Sequence, residues 1–147
     1  MKKQEKYMLH DSLGYLTGTI HWKFHKRLVA RFNDSGLNVT PDQWGILVTI
    51  FNDGEMYQSQ LAECQKKDRA GIKRLVDHLH NKGLVTREPS AHDTRANIVK
   101  LTDEGKRVVE VLNDIAKISI KEGLKGFSES EITILKMLLN KLLDNLE

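Results

Sequence analysis

Hydrophobic residues recur at three- and four-residue steps in the first part of the chain, and this spacing predicts a long amphipathic helix from about Tyr7 to Asn33. Its apolar face carries Leu9, Leu13, Leu16, Ile20, Phe24, Leu28 and Phe32. We expect Gly36 to end this helix. A second helix should begin directly afterwards, because Thr40 and Gln43 can form a capping box around Pro41.

Two short helices and two short strands are predicted in the middle of the chain. The third helix covers about Ser59 to Cys64, and Asp68 can cap a fourth helix from Arg69 to about Asn81. The inner face of the fourth helix is predicted to consist of Ile72, Leu75, Val76 and Leu79. Residues 84–87 and 97–101 are predicted as strands, and between them lies a polar, turn-rich segment, 88–96, that we call the wing.

Helices return in the last third of the chain. Thr102 should begin a fifth helix, and Ser128 with Glu131 forms a capping box before a sixth. The sixth helix has a broad apolar stripe made of Ile132, Leu135, Leu138, Leu139, Leu142 and Leu146. Such a stripe needs cover, either from the core of its own chain or from a second subunit. The terminal position of the first and last helices favours a subunit interface.

Positive charge is concentrated in the middle of the chain. Residues 59–100 contain nine basic and five acidic residues, whereas the whole chain of 147 residues has a net charge of only +3. A phosphate backbone attracts such a segment, although a solvated basic surface has the same composition. Two short helices followed by a polar hairpin are typical of a winged helix-turn-helix, a module that binds duplex DNA. Position and charge together therefore favour a DNA partner.

Other classes of protein find little support in the sequence. The N-terminus lacks the apolar core of a signal peptide and no apolar run approaches a membrane span, so we expect a cytoplasmic protein without a membrane partner. Its single cysteine excludes an internal disulfide and the usual structural zinc patterns. A phosphate-binding glycine loop, a nucleophile elbow and a His-Glu-x-x-His motif are all missing. We therefore expect neither an enzyme nor a cofactor or metal site.

A series of motifs follows in order from the first helix to the fifth. The motifs are Leu13-Gly14-Tyr15-Leu16, residues 36–47, Leu61-Ala62, Asp68-Arg69, residues 74–79, residues 82–85, residues 93–96 and residues 101–105. This ordered set, with an Asp-x-Arg motif between two short strands, resembles the MarR-type transcriptional regulators. The resemblance implies a mainly α winged-helix (α+β) fold, with about six helices and a small wing sheet of two or three strands.

The same resemblance implies a domain organisation and a mode of action. Residues 1–147 would form a single MarR-like domain, with a DNA-binding lobe at 38–101 and a helical dimerisation region formed by 1–35 and 102–147. The expected assembly is a homodimer whose two lobes occupy successive major grooves of a pseudo-palindromic operator in double-stranded DNA. Such regulators usually repress transcription, and a small molecule often releases them.

The predicted DNA-binding residues are Ser59, Gln60, Arg69, Ala70, Lys73, Arg74, Asp93 and Arg95. Lys73 and Arg74 can contact guanine or phosphate from the major groove. Arg69 is placed for a phosphate or groove-edge contact, and the start of the third helix can donate to phosphate. Arg95 resembles the family's minor-groove arginine, and Asp93 is expected to orient it through an ion pair. Ala70-Gly71 departs from the hydroxyl residues of many relatives, which removes two potential donors.

The resemblance also implies an effector cleft between the first, second and fifth helices, for a small aromatic or amphipathic molecule. The candidate lining residues are Tyr15, His21, Trp22, Trp44 and Phe51, each of which also suits a core position.

Three alternative interpretations of individual residues or of the fold remain open. Cys64 could serve as a redox sensor, although family sensors carry the cysteine in the first helix and a small buried residue is the commoner outcome. His21 and His25 could share a metal, but no third ligand follows at a fixed spacing. A winged helix used for protein contacts would have an apolar or acidic outer face on its fourth helix, whereas this face is basic.

Overall fold

Six α-helices and a three-stranded antiparallel sheet form the part of the chain that the computed structural model describes, residues 5–93 and 95–147. The helices are α1 (Leu13–Asp34), α2 (Pro41–Asp53), α3 (Gln58–Cys64), α4 (Arg69–Asn81), α5 (Asp103–Gly123) and α6 (Glu129–Leu146). The strands are β1 (Met56–Tyr57), β2 (Val85–Pro89) and β3 (Asn97–Leu101), in the order β1-β3-β2. This architecture confirms the predicted fold class. Residues 1–4 of the predicted dimerisation region and Thr94 of the wing lie outside the described residues.

The first helix begins later than the sequence predicts. A short 3₁₀ helix covers Leu9–Asp11, and α1 starts only at Leu13. Ser12 separates the two, because its backbone is extended and its side chain accepts a hydrogen bond from the backbone N–H of Tyr15 at 3.3 Å. The predicted start near Tyr7 was therefore wrong, since the apolar periodicity continues through a residue that acts as an N-cap.

The sheet is larger than the two predicted strands. β1 pairs with β3 through Met56 and Val99, and β2 continues two residues beyond its predicted end, to pair Pro89 with Asn97. Ser90, expected in a solvent-exposed turn, is buried, and its hydroxyl lies 3.0 Å from the Tyr57 hydroxyl. The wing is therefore attached at its base to the residue that precedes α3. We call β2, the wing and β3 together the wing hairpin.

An apolar core holds the end of α1, α2, α3, α4, the sheet and the first half of α5 together. Its fully enclosed side chains include Ile46, Leu61, Ile72, Val99 and Leu112. Burial of each such side chain stabilises the fold by about 1.5–3 kcal/mol. The inner face of α4 lies in this core as predicted, and its other face is left on the outside.

The sixth helix packs differently from the others. None of its residues is buried, and in α1 only Phe32 is buried. The large apolar side chains exposed on α6 are Ile134, Leu135, Met137, Leu138, Leu139, Leu143 and Leu146. An apolar patch of this size on a helix indicates a surface that another molecule covers. In the described residues, no helix has the length and apolar character that crossing a bilayer requires.

Gly105 allows α5 to approach the backbone of Leu84, which directly precedes β2. A Cβ atom at this position would overlap with the backbone oxygen of Leu84. That oxygen also accepts a hydrogen bond from the backbone N–H of Thr102, the N-cap of α5. The close approach fixes where α5 leaves the wing hairpin.

Replacement of Gly105 by alanine should therefore destabilise the fold by about 1–3 kcal/mol, the usual cost of overpacking a close contact. The measurement is the urea midpoint followed by tryptophan fluorescence. Gly18→Ala in α1 is the control, because nothing lies within 4 Å of a Cβ there. If Gly105→Ala unfolds at the same urea concentration as Gly18→Ala, the contact with Leu84 is not restrictive.

Candidate DNA-binding surface

Asp68 and Gly71 together set the start of α4. The Asp68 carboxylate accepts a hydrogen bond from the backbone N–H of Gly71 at 2.6 Å. A Cβ atom on residue 71 would lie 2.9 Å from the same carboxylate oxygen. The glycine therefore leaves room for this short N-cap hydrogen bond. At the other end, Gly83 has φ +71° and ends the helix.

The outer face of α4 is largely exposed. Four predicted DNA-binding residues, Arg69, Ala70, Lys73 and Arg74, lie on it and are exposed. The hydrophobic face packs inward through Ile72, Val76 and Leu79. Because the two faces are separated so clearly, the basic residues project from the lobe on one side of a rigid element.

A cleft of about 340 Å³ lies between the start of α3, the start of α4 and the wing. Its lining includes four predicted DNA-binding residues, Ser59, Arg69, Asp93 and Arg95, which come from three separate segments of the chain. Tyr57, Gln58, Ala96 and Asn97 complete the lining and were not predicted. Two guanidinium groups and a hydroxyl around one hollow are donors of the kind that bind a phosphate.

The side chains of Asp93 and Gln60 make contacts that differ from the predicted ones. The Asp93 carboxylate accepts a hydrogen bond from the backbone N–H of Arg95 at 2.9 Å. No ion pair joins the two side chains in the described part of the wing, so the predicted pairing was wrong: Asp93 shapes the turn instead. Gln60 turns back, and its side-chain carbonyl accepts a hydrogen bond from the backbone N–H of Tyr57 at 2.8 Å.

Most of the basic residues in the segment 59–100 have partners. Five of the nine are paired with carboxylates: Lys66 with Glu147, Lys67 with Asp42, Lys73 and Arg87 with Asp77, and Lys100 with Glu55 and Glu88. Lys82 donates to Gln43 at 3.0 Å, and burial lowers its pKa. Within residues 5–93 and 95–147, this leaves Arg69, Arg74 and Arg95 without an acidic or hydrogen-bonding partner for the side chain. All three were predicted to bind DNA.

Asp77 lies among these basic residues and was not predicted as part of the site. Its two carboxylate oxygens lie 3.0 Å from Lys73 Nζ and 2.6 Å from Arg87 Nη1. The hydrogen bond from Lys73 is the main cause that lowers the pKa of Asp77, and Arg87 lowers it further. Partial desolvation acts in the opposite direction. The sequence shows the spacing of four between Lys73 and Asp77, but no local pattern indicates the contact with Arg87.

The lowered pKa of Asp77 predicts how its contribution to stability depends on pH. A carboxylate with a folded-state pKa below its unfolded value stabilises the fold above the unfolded pKa, near 4, and loses this effect as pH falls through the folded pKa. We therefore expect the difference in unfolding free energy between the natural protein and Asp77→Asn to be constant from pH 7 to pH 5. It should shrink below about pH 4. Urea titrations at several pH values measure this difference, and a constant difference down to about pH 2.5 would contradict the prediction.

A second cleft, of about 200 Å³, lies between α1, α2 and α5. Of the five predicted effector residues, the structure brings His21 and Trp44 together here. The other lining residues are Phe24, His25, Leu28, Ala116, Ser119 and Ile120. Trp44 is held in place, because its Nε1 donates to Asn113 Oδ1 at 2.9 Å. We call this space the α1–α5 cleft.

The other three aromatic residues predicted for the effector site lie elsewhere. Tyr15 packs edge-on against His10, and Trp22 is exposed beneath the ammonium group of Lys26. Phe51 lines a different hollow beside Lys100. These three residues therefore do not share the α1–α5 cleft with Trp44.

Cys64 and the histidine pair are also placed by the structure. Cys64 is exposed at the end of α3, so the expectation of a small buried residue was wrong. The rings of His21 and His25 stack with their centroids 6.0 Å apart. Among the described residues, no cluster of three or more potential ligands is arranged to hold a metal ion.

Comparisons with known proteins agree with the fold of the chain. A family model described as MarR family matches residues 35–96. A probable transcriptional regulator from Pseudomonas aeruginosa is 30% identical, with a TM-score of 0.75 over 92% of this chain and 99% of that one. A cysteine-to-serine mutant of MarR from E. coli, in complex with operator DNA, is 26% identical, with a TM-score of 0.83 over 94% of this chain and 99% of that one.

A further solved structure shares the fold at lower identity. It belongs to a study of how 6-hydroxynicotinic acid regulates DNA binding by BpsR from Bordetella bronchiseptica. That protein is 20% identical, with a TM-score of 0.85 over 95% of this chain and 98% of that one. At this identity the likeness supports the fold alone.

Proposed function

This chain belongs to the MarR family, and we propose that it is a DNA-binding transcriptional regulator that acts as a homodimeric repressor. The observation that carries the proposal is the set of three arginines, Arg69, Arg74 and Arg95, which lack partners in the described residues while their basic neighbours are paired. A guanidinium group presented without a partner on a rigid element is suited to bind phosphate or guanine. The E. coli relative bound to operator DNA supports the same assignment.

Five of the eight predicted residues have a role in DNA binding under this proposal. In this proposal α4 enters the major groove, where Arg74 contacts guanine and Lys73, already held by Asp77, contacts phosphate. Arg69 and Ser59 bind a phosphate in the cleft beside the wing. Arg95 enters the adjacent minor groove, where a narrow A·T-rich tract concentrates negative potential.

Dimerisation is proposed from the surfaces that the chain leaves uncovered. α6 exposes seven large apolar side chains, and α1 exposes Leu13, Leu16, Ile20 and Trp22. A second copy of the chain would cover both helices and place the two lobes on one face of the duplex. A symmetric dimer of this kind requires an operator with matching two-fold symmetry.

The direct test is fluorescence anisotropy with a duplex from the protein's own upstream region, compared with a random duplex of equal length over a series of salt concentrations. We expect preference for the upstream duplex, and for both duplexes a logarithm of affinity that falls linearly with the logarithm of salt concentration. Absence of a preference for the upstream duplex would contradict sequence-specific regulation. A transcriptional reporter then tests repression, because deletion of the gene should raise expression from that promoter.

We propose the α1–α5 cleft as the effector site, for a small aromatic acid or phenol. Phe24 and Trp44 supply aromatic walls, and His21, His25 and Ser119 supply the polar groups. Because α2 belongs to the DNA-binding lobe and α1 to the proposed dimer region, a ligand between them would bias the angle between lobe and dimer.

A Trp22→Phe variant makes this proposal testable, because Trp44 is then the remaining tryptophan. Addition of 4-hydroxybenzoate should quench Trp44 fluorescence and release the operator over the same concentration range. His21→Ala should shift both effects to higher concentrations. Release of DNA without a change in Trp44 fluorescence would place the effector elsewhere.

A further inference from the structure

Asp77 joins the outer face of α4 to the strand that leads into the wing. One carboxylate oxygen contacts Lys73, one turn earlier on α4, and the other contacts Arg87 in the middle of β2. The Lys73 side chain is 65% exposed, whereas those of Asp77 and Arg87 are 32% and 24% exposed. The contact between Asp77 and Arg87 is therefore the more enclosed of the two.

A carboxylate is unfavourable at this position for affinity alone. The other charged residues on the outer face of α4 are Arg69, Lys73 and Arg74, and all three are positive. Asp77 repels phosphate and offsets part of the attraction that these residues provide. The ion pair with Lys73 has an exposed partner, and such a pair contributes little to stability. Affinity therefore does not explain a carboxylate here, whereas the more enclosed ion pair with Arg87 links α4 to β2 and can maintain their relative geometry.

Arg87 is well placed to control the inclination of the wing hairpin. It pairs with Val99 of β3 in the antiparallel register, and both strands run from this pair toward the wing, which carries Arg95. The short β1 supports the hairpin from the far side of β3. The pairing of Arg87 with Asp77 holds the near side against α4, so that Arg74 and Arg95 keep a fixed separation.

We propose that Asp77 is a positioning residue that determines how strictly the protein discriminates its operator from other DNA. This inference rests on the proposed function. By fixing the wing hairpin to α4, Asp77 ensures that a base contact from Arg74 and a minor-groove contact from Arg95 form together. Specific binding needs both contacts in register, whereas non-specific binding needs only positive charge.

In Asp77→Asn, the loss of charge and the loss of geometry should change DNA affinity in opposite directions. Loss of a negative charge should strengthen binding to random DNA. Loss of the fixed geometry should weaken binding to the operator, so the ratio of random-duplex Kd to operator Kd should fall about tenfold, a coupling ordinary for contacting residues. Anisotropy with both duplexes at one salt concentration measures the ratio directly.

Arg87→Gln provides the decisive comparison, because it breaks the same contact while removing a positive charge. Its affinity for random DNA should fall, yet its specificity ratio should drop as much as that of Asp77→Asn. The double variant should lose no more of the ratio than either single variant. Asp77→Glu, which keeps the charge and lengthens the side chain, should give an intermediate ratio and is least prone to unfold.

Glu63→Gln is the matched control, since Glu63 is exposed on α3 and has no ion pair among the described residues. It should alter both affinities in the same direction and leave the ratio unchanged. An unchanged ratio in Asp77→Asn and Arg87→Gln would overturn the positioning role while leaving operator binding by the natural protein intact. A natural protein without operator preference would instead refute the proposed function.

Discussion

Replacement of Arg74 by alanine is expected to weaken operator binding about ten- to hundredfold, the value of one bidentate contact between arginine and guanine. Arg74 is exposed on the outer face of α4 and has no partner for its side chain in the described residues. It therefore needs to break no ion pair before it binds a base. Lys73, by contrast, is paired with Asp77 at 3.0 Å, which offsets part of its charge, so we expect Lys73→Ala to have a smaller effect.

The base contact and the loss of charge can be separated by comparing two duplexes. Arg74→Ala should lower affinity for the operator far more than for random DNA, whereas loss of a phosphate contact lowers both similarly. Arg107→Ala is the matched control, because Arg107 is an exposed arginine of α5 paired with Glu104. Equal weakening on both duplexes would reassign Arg74 to the DNA backbone.

Arg95→Ala provides a second comparison on the same two duplexes. Its expected effect depends on the sequence flanking the contacted major groove, and should be largest where that flank is rich in A·T pairs. Replacement of the flank by G·C pairs should weaken the natural protein and leave Arg95→Ala nearly unchanged. If the flank has no influence on the natural protein, the wing does not contact the minor groove.

The helices could be predicted from the sequence where local signals mark their ends. The capping residues Thr40, Asp68, Thr102 and Ser128 mark the starts of four helices, because each side chain binds the backbone of its own first turn. The same rule also applies to Ser12, which the continuing apolar pattern obscured. Periodicity locates a helix, whereas the caps locate its ends.

Contacts between distant segments were not predictable in the same way. Arg87 and Asp77 belong to different elements and meet only when the hairpin folds against α4. The pairing of Asp93 with Arg95 was expected from the resemblance of the wing to that of the family, yet the carboxylate binds the backbone N–H instead, as short polar side chains in turns often do. The wing motif indicates that these two residues share a turn, but it does not determine which of their atoms bond.

The placement of the aromatic residues also depends on contacts between distant segments. His21 and Trp44 meet because α1 and α2 both pack against α5, whereas Trp22, one position along α1 from His21, faces outward. One residue corresponds to about 100° of rotation on a helix. A sequence identifies which residues are aromatic, but the packing angle of α1 decides which of them enter the α1–α5 cleft.

A lysine in place of Leu138 is expected to dissociate the dimer and to reduce operator affinity about a hundredfold or more. Leu138 is 54% exposed on α6, which buries none of its residues in its own chain. The substitution should therefore leave the fold of the lobe intact, while a charge in the proposed interface would be desolvated without a partner. Each lobe would then bind alone, without the gain of roughly 10²–10⁴-fold that two linked sites provide.

Asn140→Lys is the matched control, since it adds the same charge on the polar side of α6, between Lys136 and Asp144. Sedimentation velocity should show a dimer for the natural protein and Asn140→Lys, and a monomer for Leu138→Lys. On a duplex that contains only one half-site, Leu138→Lys should bind as well as the natural protein, because its lobe is unchanged. A monomeric variant that still binds the full operator tightly would show that the two lobes act independently, and α6 would then need a different partner.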